Sequence, residues 1–343
     1  MLFAFFYALT ASKLEITSND EKSFVSWMRS TNHLFVGQEY HLRFGIWLAN
    51  ARYVKQHNKR NLGFTLAMNK FASMTPSEYN SLLLSKPSQK LVNFHNKGNN
   101  EFSSLLAETK TSKKLMINKV HSKKSETESL DWRKKGCVNE VQDMGNCGAD
   151  WAFSGVAAAE GSNFLAHNIL YKFSEQSFID CDKIDSQGCQ GGVAFSIFDF
   201  MHSNCDGKAM LANDYPYKGV DGTCQYDQDK AVGSLSDIIG IEFCNEDDLQ
   251  AKCEQYGPVT SMIDASHASF QLYSYGIYDE PQCKQMGVTL YTTIVGFGVE
   301  DGVKFWIVRN SWGASWGENG YIRMVRGQGN QCGEATSACV PVS

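Results

Sequence analysis

The chain of 343 residues is long enough for two or three compact units, and 43% hydrophobic against 20% charged residues makes it a folded protein. With 29 Gly and 6 Pro it is neither collagen-like nor low-complexity. A formal charge of −5 with scattered Lys and Arg leaves no electrostatic footprint for nucleic acid, and no apolar run of about 18 residues offers a transmembrane segment.

In chain order, the apolar stretch Leu2 to Leu9 followed by Thr10, Ala11 and Ser12 reads as a short signal peptide over residues 1–12, although no Lys or Arg precedes it. Residues 20–80 read as helical. Within them Glu39, Arg43, Trp47, Asn50, Val54 and Asn58 recur at steps of four, four, three, four and four, which places all six on one face of a single helix. Taken alone, that spacing describes an amphipathic core helix with a Glu39–Arg43 pair one turn apart. From about Ser81 to Ser129 the chain turns polar and basic, with Lys113, Lys114, Lys119, Lys123 and Lys124, as a linker or covering segment would.

A compact domain begins near Leu130, where Trp, Gly and Cys become dense. Asp150 to His167 has the apolar spacing of a helix, with Asp150 as N-cap or first-turn acid. Pro258 to Ile263, Thr289 to Phe297, Lys304 to Arg309 and Gly320 to Met324 alternate or run apolar between Gly-rich turns and read as strands. The domain is therefore α+β, one half helical and one half β. All 11 cysteines lie from Cys137 onward, so a thiol-free leader precedes a disulfide-bearing domain. The expected route is secretory, ending outside the cell or in a lysosome-like vesicle.

Four blocks of sequence carry a resemblance. Cys147-Gly148-Ala149-Asp150-Trp151-Ala152-Phe153-Ser154 is similar to the active-site helix start of papain-like cysteine proteases. Ser174-Glu175-Gln176 leading to Asp180-Cys181-Asp182 and Gly188-Cys189-Gln190-Gly191-Gly192, then Val295-Gly296-Phe297-Gly298, then Asn310-Ser311-Trp312-Gly313 with Trp316-Gly317-Glu318-Asn319-Gly320-Tyr321, follow in the family's order. The helix spacing from Glu39 to Asn58 resembles the family's inhibitory propeptide motif at every position. Asn69 and Phe71 resemble its companion motif, from which Ala67 and Ser73 depart. The resemblance implies a propeptide over residues 13–125 and a two-lobe papain-like domain over 126–343, with a helical left lobe and a β-barrel-like right lobe.

The same resemblance places the catalytic triad at Asp150, Leu290 and Asn310, and the oxyanion-hole position at Met144. A thiolate at the helix start and an imidazole beside it would carry the chemistry. Here a carboxylate, a poorer acyl-transfer nucleophile, stands at the first position and an alkyl group at the second. A thioether cannot donate to an oxyanion, and Gln142, two residues away, points elsewhere. Without an imidazole, Asn310 has nothing catalytic to orient. After residue 130 only His167, His202 and His267 remain. His167 ends its helix about 25 Å from the start, and the other two are expected at surface turns. The expectation is an inactive homologue and not an enzyme.

By resemblance, Cys147 pairs with Cys189, Cys181 with Cys224 and Cys283 with Cys332, leaving Cys137, Cys205, Cys244, Cys253 and Cys339, at least one of them free. None is spaced like a zinc site, and no metal or cofactor is implied. The resemblance also makes Gly191 and Gly192 a wall that pairs with an extended peptide, with Trp312 shielding the site. The specificity pocket maps to Val193, Ala194, Met262, Val288, Tyr291 and Ser337, where Tyr291 stands in for a small residue. The expected partners are a peptide, a protein or a cystatin-like protease inhibitor, besides the chain's own propeptide. The competing reading is a peptidase of unusual mechanism in which Asp150 takes part.

Overall fold

The computed structural model describes residues 17–84, 125, 127–183 and 185–343. The expected signal peptide and most of the basic linker lie outside these residues. The leader opens with α1 (Ser18–Ser30), started by a capping box in which the Thr17 hydroxyl accepts from Asp20 N–H and the Asp20 carboxylate accepts from Thr17 N–H. It crosses α2 (Gly37–Lys59), and Phe24 of α1 meets Phe44 and Trp47 of α2 at ring distances of 5.3 and 5.6 Å.

The six periodic residues of α2 sort themselves by chemistry. Trp47 is buried, Glu39 pairs with Arg43 on its own helix at 3.6 Å, and the other polar members reach across to the chain that follows. Arg43 donates to the Ser73 carbonyl and pairs with Glu78 at 2.9 Å, Asn50 Nδ2 donates to the carbonyls of Ala72 and Met74, and Asn58 brackets Leu66 through both its N–H and C=O. The face that spacing alone describes as core is thus largely a clamp for the returning backbone. That backbone forms β1 (Phe64–Leu66) and α3 (Pro76–Leu83), the latter started by a second capping box, Thr75 with Glu78.

β2 (Leu130–Asp131) opens the larger domain, followed by α4 (Asp150–His167), α5 (Glu175–Cys181) and α6 (Ala194–Asn204). The helical lobe is built on α4, which is buried from Asp150 to Asn163 and stopped by Asn168 at φ 57°. Its glycines permit that burial. A Cβ on Gly155 would fall 2.6 Å from Ile197 of α6, and one on Gly161 would fall 2.6 Å from Pro258. Lys172 sits between two buried carboxylates, Glu160 of α4 at 3.1 Å and Glu175 of α5 at 2.5 Å, joining these helices electrostatically.

The β lobe contains β3 (Asp237–Gly240), α7 (Glu246–Tyr256), β4 (Val259–Ile263), α8 (Ala268–Gln271), β5 (Tyr273–Tyr278), β6 (Leu290–Glu300), β7 (Val303–Arg309), β8 (Tyr321–Val325) and β9 (Ala338–Val342). The strand order is β1-β5-β8-β7-β6-β4-β9-β3, with β2 added on β6. The expected barrel-like lobe is therefore an open sheet, and among the described strands only β5 with β8 run parallel. β1, from the leader, completes one edge by antiparallel pairing of Phe64 with Gly276 and Thr65 with Tyr275. The four sequence-read strands are β4, β6, β7 and β8, and the three expected disulfides are present.

Candidate active site

The site lies where the start of α4 meets β6. Asp150 occupies the first turn of α4, 1% exposed, and its Oδ2 accepts the Tyr291 N–H at 2.7 Å. The positive end of the helix favours a carboxylate there. Neighbouring Leu290 is fully buried and pairs across the sheet with Ile263 of β4. Asn310, just beyond β7, turns its Oδ1 to the Ser311 N–H at 2.8 Å, and its buried Nδ2 has no hydrogen-bond partner. Asp150 is thus held against the start of β6, and Asn310 follows Arg309, which pairs with Thr293 further along the same strand.

Met144 packs against Ser311, 1% exposed. Its N–H donates to the Ser311 carbonyl, its carbonyl accepts from Tyr217 Oη at 2.7 Å, and its sulfur lies 3.6 Å from Ser311 Oγ. An isolated bridge between Asp143 and Trp312 ties the two lobes here. The Oε1 of Gln142 is buried with no hydrogen-bond partner. Trp312 is enclosed by Phe71 and Tyr79 of the leader and by Phe270 and Trp316, with ring centroids 5.1 to 5.8 Å away. The leader therefore contributes half of the aromatic box around that indole.

The glycine wall follows a 3-10 turn at Gly188–Gln190, fixed to the start of α4 by the Cys147–Cys189 bridge. Gly191 differs from expectation. Its N–H donates to Gly188 and its carbonyl accepts from Gln187 at 2.8 Å, so its pairing groups are spent on the turn. No hydrogen bond among the described residues uses the backbone of Gly192. Gly192 also sits against the Trp151 ring, where an added Cβ would come within 2.6 Å. Behind it Val193 and Ala194 are buried, as are Met262 and Tyr291, which face each other across β4 and β6. Burial, followed by the nearby Asp150 charge, drives the ionisation of the Tyr291 hydroxyl well upward, offset in part by the Ala194 backbone.

The remaining nucleophiles and bases lie elsewhere. The five cysteines outside disulfides are all free thiols, and burial pushes Cys137 and Cys253 up to about 12 and Cys205 up to about 11, with Cys339 also raised. These four hold their protons at neutral pH and offer no thiolate. His202 sits in the last turn of α6 and not on a surface turn. His267 caps α8 and faces Asp264 at 3.4 Å, its Nε2 buried, because the loop after β4 folds back onto that carboxylate. Asp264, His267 and Cys283 form a cluster of metal-ligand type, but the Cys283 sulfur is committed to Cys332.

A leader docked by strand pairing and an aromatic box beside a two-lobe cleft is the architecture of a peptidase proform. Two family models match it: Papain family cysteine protease over residues 126–342, and Cathepsin propeptide inhibitor domain (I29) over 24–79. The chain belongs to the papain family of cysteine proteases. It is 38% identical to cysteine proteinase RD21A of Arabidopsis thaliana over 88% of its length, spanning 61% of that longer protein. It is 34% identical to procathepsin L of Rattus norvegicus, with 98% of this chain and 95% of that one covered. The solved structure of digestive procathepsin L 3 from Tenebrio molitor larval midgut superposes with a TM-score of 0.80 at 32% identity, covering 95% of this chain and all of that one.

These relatives overturn the expectation that the chain is not an enzyme. Proteins named as cysteine proteinases align with most of it at 34 to 38% identity, which indicates an enzyme. The docked leader and the two lobes have the architecture of that family.

Proposed function

We propose that the protein acts through the cleft beside Gly192, which takes an extended peptide segment, a protein loop or a cystatin-like protease inhibitor. The observation that carries this reading is the backbone of Gly192, unpaired among the described residues and packed against the Trp151 ring beside the Cys147–Cys189 bridge. An extended ligand gains main-chain hydrogen bonds there as an added strand. Tyr291 fills the pocket behind, so the ligand residue over it is small. The chain's own propeptide competes for the same surface, since the leader already embraces Trp312. The apolar start and the three disulfides support passage through an oxidising secretory route to the exterior or to a lysosome-like vesicle.

The test is selection of extended peptides from a library on protein freed of its propeptide, with products read by mass spectrometry in the same samples. Tyr291→Ala should shift the selected peptides toward large apolar side chains. Selection that ignores Tyr291→Ala would contradict the assignment of the pocket.

A further inference from the structure

The first described residues after the leader are tied to α7. Glu254 accepts through both carboxylate oxygens, Oε2 from the Ser125 hydroxyl and Oε1 from the Thr127 hydroxyl. Gln250, one turn earlier on the same helix, donates Nε2 to the Thr127 carbonyl at 2.9 Å and to Ser125 Oγ at 3.2 Å. The Thr127 N–H closes the loop on Ser125 Oγ at 3.2 Å. Gln250 is itself anchored, since its Oε1 accepts from Arg326, which stacks between Phe297 and Trp306 at 5.0 and 5.3 Å. Three residues past Thr127 the chain enters the sheet as β2, and just before Ser125 the sequence carries Lys119, Lys123 and Lys124.

We propose that Glu254 and Gln250 form a latch that fixes the end of propeptide removal at Ser125, where an endopeptidase that cleaves after lysine stops. Ser125 and Thr127 are held against α7 by these bonds and so withheld from a protease. Hydrolysis of the bond before Ser125 consumes one water, leaves a carboxylate on the departing propeptide and creates an ammonium on Ser125. That cation appears on the residue whose hydroxyl already reaches the Glu254 carboxylate, so the cut adds an ion pair to the existing hydrogen bond. The next basic residues, Arg133, Lys134 and Lys135, sit in a folded turn, with Arg133 paired to Asp131 at 2.9 Å and stacked on Tyr321 at 4.5 Å.

The experiment treats the full-length protein with graded amounts of a lysine-specific endopeptidase and reads the intact mass and N-terminus of the resistant product. The wild type should give one product beginning at Ser125 that persists over at least a tenfold range of protease. Glu254→Ala and Gln250→Ala should lose that plateau and be cut after Lys134 or Lys135 with about tenfold less enzyme. In Glu254→Gln, which keeps an acceptor and loses the charge, the trimmed product should acetylate at its α-amino group at least threefold faster than the trimmed wild type. A resistant product starting elsewhere, equal plateaus in wild type and the two alanine variants, or equal acetylation rates would overturn the proposal.

Discussion

Glu334 makes the stability of the β lobe depend on pH in an unusual sense. Its side chain is 1% exposed in the turn before β9, and neither carboxylate oxygen finds a hydrogen-bond partner of good geometry. Burial pushes this carboxyl up to about 8 from 4.5, offset in part by the backbone amides of Glu334 and Cys332. The folded state keeps the proton up to about pH 8, whereas the unfolded chain releases it near 4.5. Between these values the folded state therefore binds more protons, and stability falls as pH rises. The contribution is fully present below about 4.5 and lost by about 8. At about 1.4 kcal/mol per unit, the whole window corresponds to about 5 kcal/mol. Urea unfolding with intact disulfides at pH 4.5, 6 and 8 measures it, comparing wild type with Glu334→Gln. The variant should match the wild type near pH 4.5, exceed it at pH 8, and lose most of the slope between the two, since its side chain is neutral throughout and cannot titrate. Equal slopes in the two proteins would refute the reasoning.

Asn50→Ala strips the Ala72 carbonyl of its donor, leaves that of Met74 with Gln271 alone, and should cost the leader about 1 to 3 kcal/mol, read as faster amide exchange over residues 67–74. Tyr79→Phe removes a fully buried hydroxyl that donates to the Ala265 carbonyl at 2.6 Å, and a leader carrying it should bind the separated domain about tenfold more weakly by calorimetry. Replacing Cys181 and Cys224 together by serine should cost about 2 to 4 kcal/mol and lower the thermal midpoint by about 5 to 15 °C in a calorimetric scan.

The architecture was legible where the sequence is strongly patterned. The helix from Asp150 to His167 and the strands β4, β6, β7 and β8 are long and apolar, and each is read at nearly its observed bounds. The elements missed have physical reasons. β1 is three residues long and exists only because β5 accepts it, while α7 is acidic and polar and gains its place by packing one face under the sheet. The α2 spacing was visible but its purpose was not, because periodicity reports which residues share a face and says nothing of what they touch. Arg43, Asn50 and Asn58 touch backbone carbonyls. Motif matching singled out 150, 290, 310 and 144, yet the engagement of Gly191 within its own turn could not be read from two adjacent glycines. Nor does a single glutamate in Cys332-Gly333-Glu334-Ala335 announce its burial.

The cleft reading is tested most directly at Gly192. A methyl group there collides with the Trp151 ring at 2.6 Å and must displace the wall that pairs with a ligand, while the three disulfides and both lobes stay in place. Peptides selected on the propeptide-free protein are titrated by fluorescence anisotropy against wild type and Gly192→Ala. Saturable binding that the isolated leader displaces, weakened at least tenfold by Gly192→Ala, is the predicted result. Binding untouched by either the leader or the substitution would contradict it.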